Sequence, residues 1–433
     1  MPFEASRGLP RKIAVIGGGI SGMGAAHLLA QDHRVVLFES EHRLGGHART
    51  RMAGPYGTDP VDTGFIVFNY ANYPHLTKLF EDLDVPVVES DMSFGASIDG
   101  GRVEYGLASL GALFAQRRNL ARPQFLRMVR DLFHFNANAL DASRDPSLTI
   151  GQLMDKLGMG DWFRNYYLLP ISGAIWSTPV EKIMEFPAHA MMTFFENHAL
   201  LHHTGQHQWF TVEGGSVAYV SRLANAMEKQ GVDIRLSAPV AGVRRGPQGV
   251  EARAQGGEWE LFDEVVMATH SDDTLSMLSD ATPQERDVLS NIRYQPNTAI
   301  LHSDISVMPK RRQVWSSWVY TETQGQQKDR IDLTYWMNSL QPWLRGGTDY
   351  FVTLNTTHPI REDLIWDQAT FRHPVYDHAA LEAQRKAVAM NGSNRTWFCG
   401  AWMKNGFHED GLSSAVDVVT ALNAVEGMKL AAE

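Results

Sequence analysis

The chain of 433 residues has one cysteine, Cys399. An intramolecular disulfide framework is therefore excluded, and the usage fits a reducing compartment. Cys399 sits in an apolar run and is read as inert core. The 17 histidines are scattered and none groups with the single cysteine into a ligand set, so no metal site is expected. Basic residues are in deficit, 39 Lys and Arg against 49 Asp and Glu for a formal charge of −10, which argues against a nucleic-acid partner. No apolar run approaches the length of a membrane span, and Met1–Pro10 lacks the apolar core of a signal peptide. Internal repeats and low-complexity segments are missing too. These absences lead to the expectation of an acidic cytoplasmic protein, long enough for two or three domains and a sizeable core.

What is present begins at Lys12–Ile16, a short β-branched run of the kind that forms a buried parallel strand. Gly17, Gly19 and Gly22 follow in G-x-G-x-x-G spacing, with Ile20 and Ser21 between them and a helical stretch after. In such a junction the glycines serve a tight turn, close approach of backbone to a diphosphate, and close helix–strand packing. The helix N-terminus offers unpaired N–H groups to the phosphates. A second strand, Arg34–Phe38, ends at Glu39 and Ser40, where an acid accepts ribose hydroxyls. Strand, helix, strand and terminal acid in register predict a dinucleotide site. No second G-x-G-x-x-G occurs, so one nucleotide is expected and a pyridine-nucleotide reductase is not.

After Glu39 come Arg43, Gly45, Gly46, His47 and Thr50. This resembles the E-x-x-x-R-x-G-G-R-x-x-T continuation of the flavin-containing amine oxidase superfamily, with His47 in place of the second arginine. Near the other end, Thr396–Gly400 and Gly406–Ala415 resemble the superfamily's C-terminal segment, whose helix start faces the flavin. The resemblance implies non-covalent FAD. By it, Gly400, Glu409, Gly411, Leu412 and Ala415 join the glycine motif as cofactor-binding residues, as do Gly64, Phe65 and Ile66 beside a D-x-G segment at Asp62. It also implies an adenine contact on the valine read as Val240.

The fold class expected is mixed α/β. A Rossmann-like FAD-binding domain is assembled from residues 1–90, 212–275 and 390–433, with a turn-rich meander of strands near Val232–Leu236, Val240–Arg245, Val250–Ala254 and Trp259–Phe262. Residues 91–211 and 276–389 form a substrate domain of mixed sheet and helices. Its helical parts lie near Leu107–Leu140 and Ile150–Trp176, with Thr149 an N-cap; its sheet covers about Thr298–Asn355.

Candidates for the pocket are Phe65, Tyr335, Trp336, Trp402 and Asn297. Period-2 spacing puts Tyr335 and Met337 on one face of a strand and Trp336 and Asn338 on the other. The polar-aromatic group His202, His203, His207 and Trp209 reads as structural histidines near the site. The superfamily often carries a lysine that holds a water against the flavin; Asn297 aligns near that place and no lysine is nearby, which weakens an amine-oxidase reading.

Nearly the full length resembles a bacterial subgroup of NAD/FAD-binding proteins encoded beside cyclopropane-fatty-acid-synthase-like methyltransferases. The segments that carry this are Asp62–Asn69, Glu213–Tyr219, Tyr335–Asn338 and Phe407–Leu412. It implies oxidation or desaturation of a methylated fatty acyl chain, on the way to furan fatty acids, with a methyltransferase as pathway partner. Amine or small-hydrophobe oxidation is the alternative enzyme reading, and a flavin-stabilised scaffold the non-enzymatic one. Leu110–Phe133 carries Arg117, Arg118, Arg122, Arg127 and Arg130 interleaved with apolar residues. This pattern suits either a solvated basic face or peripheral contact with the inner face of a membrane.

Overall fold

Five parallel strands carry the glycine motif, in the order Asp233–Arg235, Arg34–Phe38, Lys12–Ile16, Glu264–Met267 and Thr396–Phe398. The central strand is apolar from Ile13 to Ile16 because both faces are covered there. Ile13 and Val15 enter one core with Val35 and Leu37, while Ala14 and Ile16 enter another with Val36 and Phe38. The computed structural model describes residues 9–176, 183–197, 200–201, 207–322 and 332–432. On one face of the sheet, the helix Ile20–Leu29 lies against His408–Ala432. Small residues permit that approach: a Cβ on Gly24 would stand 2.4 Å from Leu412 Cδ1, and one on Gly411 would stand 2.8 Å from Ser21 Oγ.

Asp233–Arg235 departs from the expected meander. It adds to the parallel sheet beside Arg34–Phe38, and its Arg235 carbonyl accepts the Glu39 N–H at 2.9 Å. The meander proper is the antiparallel trio Val240–Gly246, Gly249–Ala254 and Glu260–Phe262.

A seven-stranded sheet forms the second layer. Its order is Ile365–Val375, Arg293–His302, Phe351–Leu354, Asp332–Trp336, Trp318–Thr321, Phe94–Ile98 and Val103–Gly106. It is wider than the expected 298–355. The added strands at 94–106 are buried at every position, so they show no polar–apolar alternation to read. The strand through Tyr335 also stops early. Asn338 accepts the Tyr350 N–H and donates to the Leu344 and Thr348 carbonyls, and the chain turns into a short helix at Met337–Leu340.

The helical cover contains Pro123–Ala142, Ile150–Lys156, Leu169–Trp176 and Ala188–Asn197. Thr149 caps the second of these in a capping box with Gln152, as its sequence position suggests. Among the described residues, no helix is long and apolar enough to cross a membrane.

Candidate active site

A cavity of about 800 Å³ is lined by residues from both sheets. At one end Gly17, Gly19, Ile20 and Ser21 line it, opposed by Gly45 and Gly46. Gly17 has φ +110°, and a Cβ there would lie 2.7 Å from the Ala268 carbonyl oxygen; only glycine makes this turn. A Cβ on Gly19 would project into open space, and Gly19 as N-cap gives the following helix no side-chain cap. The first-turn N–H groups are thus left to a ligand, which is where a diphosphate would sit.

Glu39 and Ser40 line the same end, with Val240 beside them. The Glu39 carboxylate accepts the Gly18 N–H at 2.6 Å, the Glu41 N–H at 2.7 Å and the Ser40 hydroxyl at 3.0 Å. That leaves about one of its four acceptor positions for a ribose hydroxyl.

The middle of the cavity is built by His47, Gly64, Phe65, Ile66, Gly400 and Trp402. A Cβ on Gly64 would overlap the His47 carbonyl oxygen at 1.9 Å, and one on Gly400 would strike the Trp402 indole at 2.5 Å. Trp402 is held by its Nε1–H on the Thr269 carbonyl at 3.1 Å. Asp62 anchors the segment before Gly64. It is buried and takes hydrogen bonds from Thr50, Ser216 and Gln341; burial still pushes its carboxyl up to about 6.

Four histidines, His47, His270, His373 and His408, share the cavity wall. The His47 ring is 5.4 Å from His373 and 5.9 Å from His270. His408 stacks on Phe65 at 3.9 Å and bonds the Tyr219 hydroxyl at 2.7 Å. Burial is the first cause holding each ring near pKa 3, so all four are neutral imidazoles.

Tyr335 lines the far end with Ile171, Ile175, Phe194, Val352 and Leu354. Trp336 does not: it turns to the opposite face, where its indole bonds Asp349 and packs against Trp315. Nor does Asn297, which lies behind the wall and bonds His373 Nδ1 at 2.8 Å.

Several residues expected to touch the cofactor lie off the cavity lining. Gly22 packs helix on strand, since a Cβ would overlap the Gly17 carbonyl oxygen at 1.7 Å. The Arg43 guanidinium bonds the carbonyls of Leu44, Gly46 and Ala48, fixing the glycine turn from behind. Glu409 accepts the His75 and Leu76 N–H groups at 2.9 Å each and so caps the helix Pro74–Asp82. Gly411, Leu412 and Ala415 belong to the helix–helix contact described above. His202 and His203 lie outside the described residues, whereas Trp209 lines the cavity and His207 bonds the Asn197 carbonyl. Cys399 is fully buried outside the lining, its thiol pushed up to about 12 by burial.

Sequence reasoning missed His373 and Tyr376, both on the lining near the end of the long strand Ile365–Val375. Alternation along Ile365–Val375 was the available signal. The buried Tyr376 hydroxyl lacks a hydrogen-bond partner and borders the cavity. That orphan, the open glycine cradle and the acid at Glu39 all fit a bound FAD.

Residues 20–304 match the family model described as flavin containing amine oxidoreductase. No curated protein sequence matches the chain. Among solved structures, the CLA-producing fatty acid isomerase from P. acnes superposes with a TM-score of 0.64 at 15% identity, covering 96% of this chain and 99% of that one. Cyclohexylamine oxidase from Brevibacterium oxydans IH-35A gives 0.65 at 15% identity, with coverage of 96% and 99%. Putrescine oxidase bound to putrescine gives 0.65 at 15%, again covering 96% and 99%. At such identities the likeness is one of fold.

Proposed function

We propose, from the premise that this chain belongs to the flavin containing amine oxidoreductase family, that this FAD-dependent oxidoreductase removes hydrogen from a methylated fatty acyl chain. The observation that carries the substrate class is the chemistry of the far end of the cavity. Ile171, Ile175, Phe194, Leu340, Val352 and Leu354 present hydrocarbon to it. Among the described residues, the only carboxylates on the lining are Glu39, at the opposite end, and Asp273, which is paired with Arg372. A protonated amine would lose its hydration there with no free counterion. An acyl chain loses only contact with water, a gain of roughly 0.8 kcal/mol per buried CH₂.

Bound FAD supplies the two-electron acceptor for such an oxidation. The chain's own residues exclude water with the aromatic wall of Phe194 and Phe407, stacked at 4.8 Å, and hold the reacting carbon in an apolar slot. The neutral imidazoles place no fixed charge beside it. A cyclopropane-fatty-acid-synthase-like methyltransferase would supply the branched chain.

Anaerobic mixing with lipids bearing methylated acyl chains tests this. Bleaching of the flavin absorbance by the lipid, and none by aliphatic amines, is expected. Bleaching by amines alone would favour amine oxidation, and a flavin that no candidate reduces would favour a scaffold. Lipid extracts of a deletion strain should accumulate the unoxidised methylated chain.

A further inference from the structure

Behind His373 lies a polar relay that spans three adjacent strands, with a backbone group fixing its polarity at each end. The Thr298 N–H, which can only donate, bonds Asn355 Oδ1 at 3.0 Å. Asn355 must therefore turn its amide nitrogen to Asn297 Oδ1, at 2.6 Å. Asn297 in turn offers its own amide nitrogen to His373 Nδ1 at 2.8 Å. The same nitrogen reaches the Gln295 carbonyl at 3.3 Å, a group that can only accept. Reversing either amide would set donor against donor at Thr298 and acceptor against acceptor at Gln295. His373 Nδ1 is thereby an acceptor. In a neutral ring the proton then sits on Nε2, the nitrogen left for the cavity that His373 lines.

Desolvation and the neighbouring His47 keep the ring neutral, with its pKa lowered to about 3. Asn297 is fully buried, so water does not compete for the relay. The cavity neighbours of His373 come from the nucleotide-binding stretches. His47, 5.4 Å away, directly follows the Gly45–Gly46 turn, and Tyr376 on the same stretch abuts Gly406.

We propose that the relay Thr298–Asn355–Asn297 holds His373 in the Nε2–H tautomer, as a hydrogen-bond donor to an acceptor atom of the bound flavin ring. This makes Asn297 and Asn355 positioning residues, acting through His373. It also removes His373 from the candidates for the base that takes a substrate proton. A donor fixed toward a ring that gains negative charge on reduction stabilises the reduced form. The inference rests on the cofactor and is independent of the substrate class.

The test uses holoenzyme with ¹⁵N-labelled histidine, the His373 signals being assigned by their loss in His373→Gln. In the wild type, Nε2 should carry the proton and Nδ1 should be bare. Asn297→Asp keeps the size but can only accept at the last bond, and should move the proton to Nδ1; a residue that merely fills space would leave the tautomer unchanged. The flavin midpoint potential should fall in His373→Phe and return toward wild type in His373→Gln, which restores a donor. A proton found on Nδ1 in the wild type overturns the proposal, and so does a potential unchanged in His373→Phe. Should His373→Phe fail to retain flavin, the wild-type tautomer and the Asn297→Asp response still decide it.

Discussion

A single Cβ at Gly19 tests the cofactor site most simply, because it would stand in the cavity and touch no protein atom. Gly19→Val should fold, with a melting temperature near wild type, yet purify nearly colourless. Flavin affinity should drop at least tenfold, about 1.4 kcal/mol, read from the ratio of flavin to protein absorbance. Glu39→Ala should be costlier. It removes the ribose acceptor and also leaves the Gly18 N–H without its carboxylate, a buried-donor penalty of about 1–3 kcal/mol. The histidines give a pH signature. His47, His270, His373 and His408 are held near 3 in the fold, while an unfolded histidine titrates near 6.5. Below about pH 6.5 the unfolded chain binds protons that the native state refuses, so stability is lost as the pH falls. Asp62 and Asp410, each raised to about 6, act in the opposite sense, because stability from a raised carboxyl is lost as the pH rises. The four rings outweigh the two acids. The melting temperature should therefore decline from pH 6.5 to 5, and a flat or rising profile would contradict this account.

At the scale of elements, Glu409 joins two parts of the chain by capping the helix Pro74–Asp82 from the first turn of the C-terminal helix. Glu409→Ala should cost about 1–2 kcal/mol in chemical denaturation while leaving flavin bound, since Glu409 is off the cavity lining. The arginine-rich insertion is divided by the fold. Phe125 turns fully into the core, whereas Leu110, Leu120, Leu126 and Phe133 are exposed, by 77%, 56%, 44% and 53%. Arg118 and Arg122 bond backbone carbonyls at 101–102, and Asp131 takes Arg127 and Arg130. We propose that the remaining basic-apolar surface around Arg117 contacts anionic bilayers, at roughly 1 kcal/mol per arginine near the surface. Co-sedimentation with anionic but not neutral liposomes, weakened by salt and by Arg117→Glu, is the expected pattern. Equal recovery in the supernatant with both vesicle types would reject it.

For the whole molecule, a single G-x-G-x-x-G in the sequence means that NADH and NADPH should reduce the flavin far more slowly than turnover, on the order of 10 per second. Rapid-mixing reduction at that rate would count against this reading. Denaturation should release the flavin, because the lone thiol at Cys399 is buried away from the cavity. What the sequence determined by itself was the nucleotide half. Local chemistry carried it: Gly17 needs its positive φ, Gly19 its bare face, and Glu39 its place at a strand end, each within reach of its neighbours in the chain. Side chains that act across long separations were placed only by the fold. Glu409 reads as a cofactor ligand until the fold brings it to the helix Pro74–Asp82. Asn297 reads as a pocket residue until strand pairing sets it behind His373. Trp336 reads as a pocket wall until the sheet turns it outward. Tertiary structure alone decided these, because which face of a strand meets the cavity depends on register with distant strands, and register is a property of the assembled sheet.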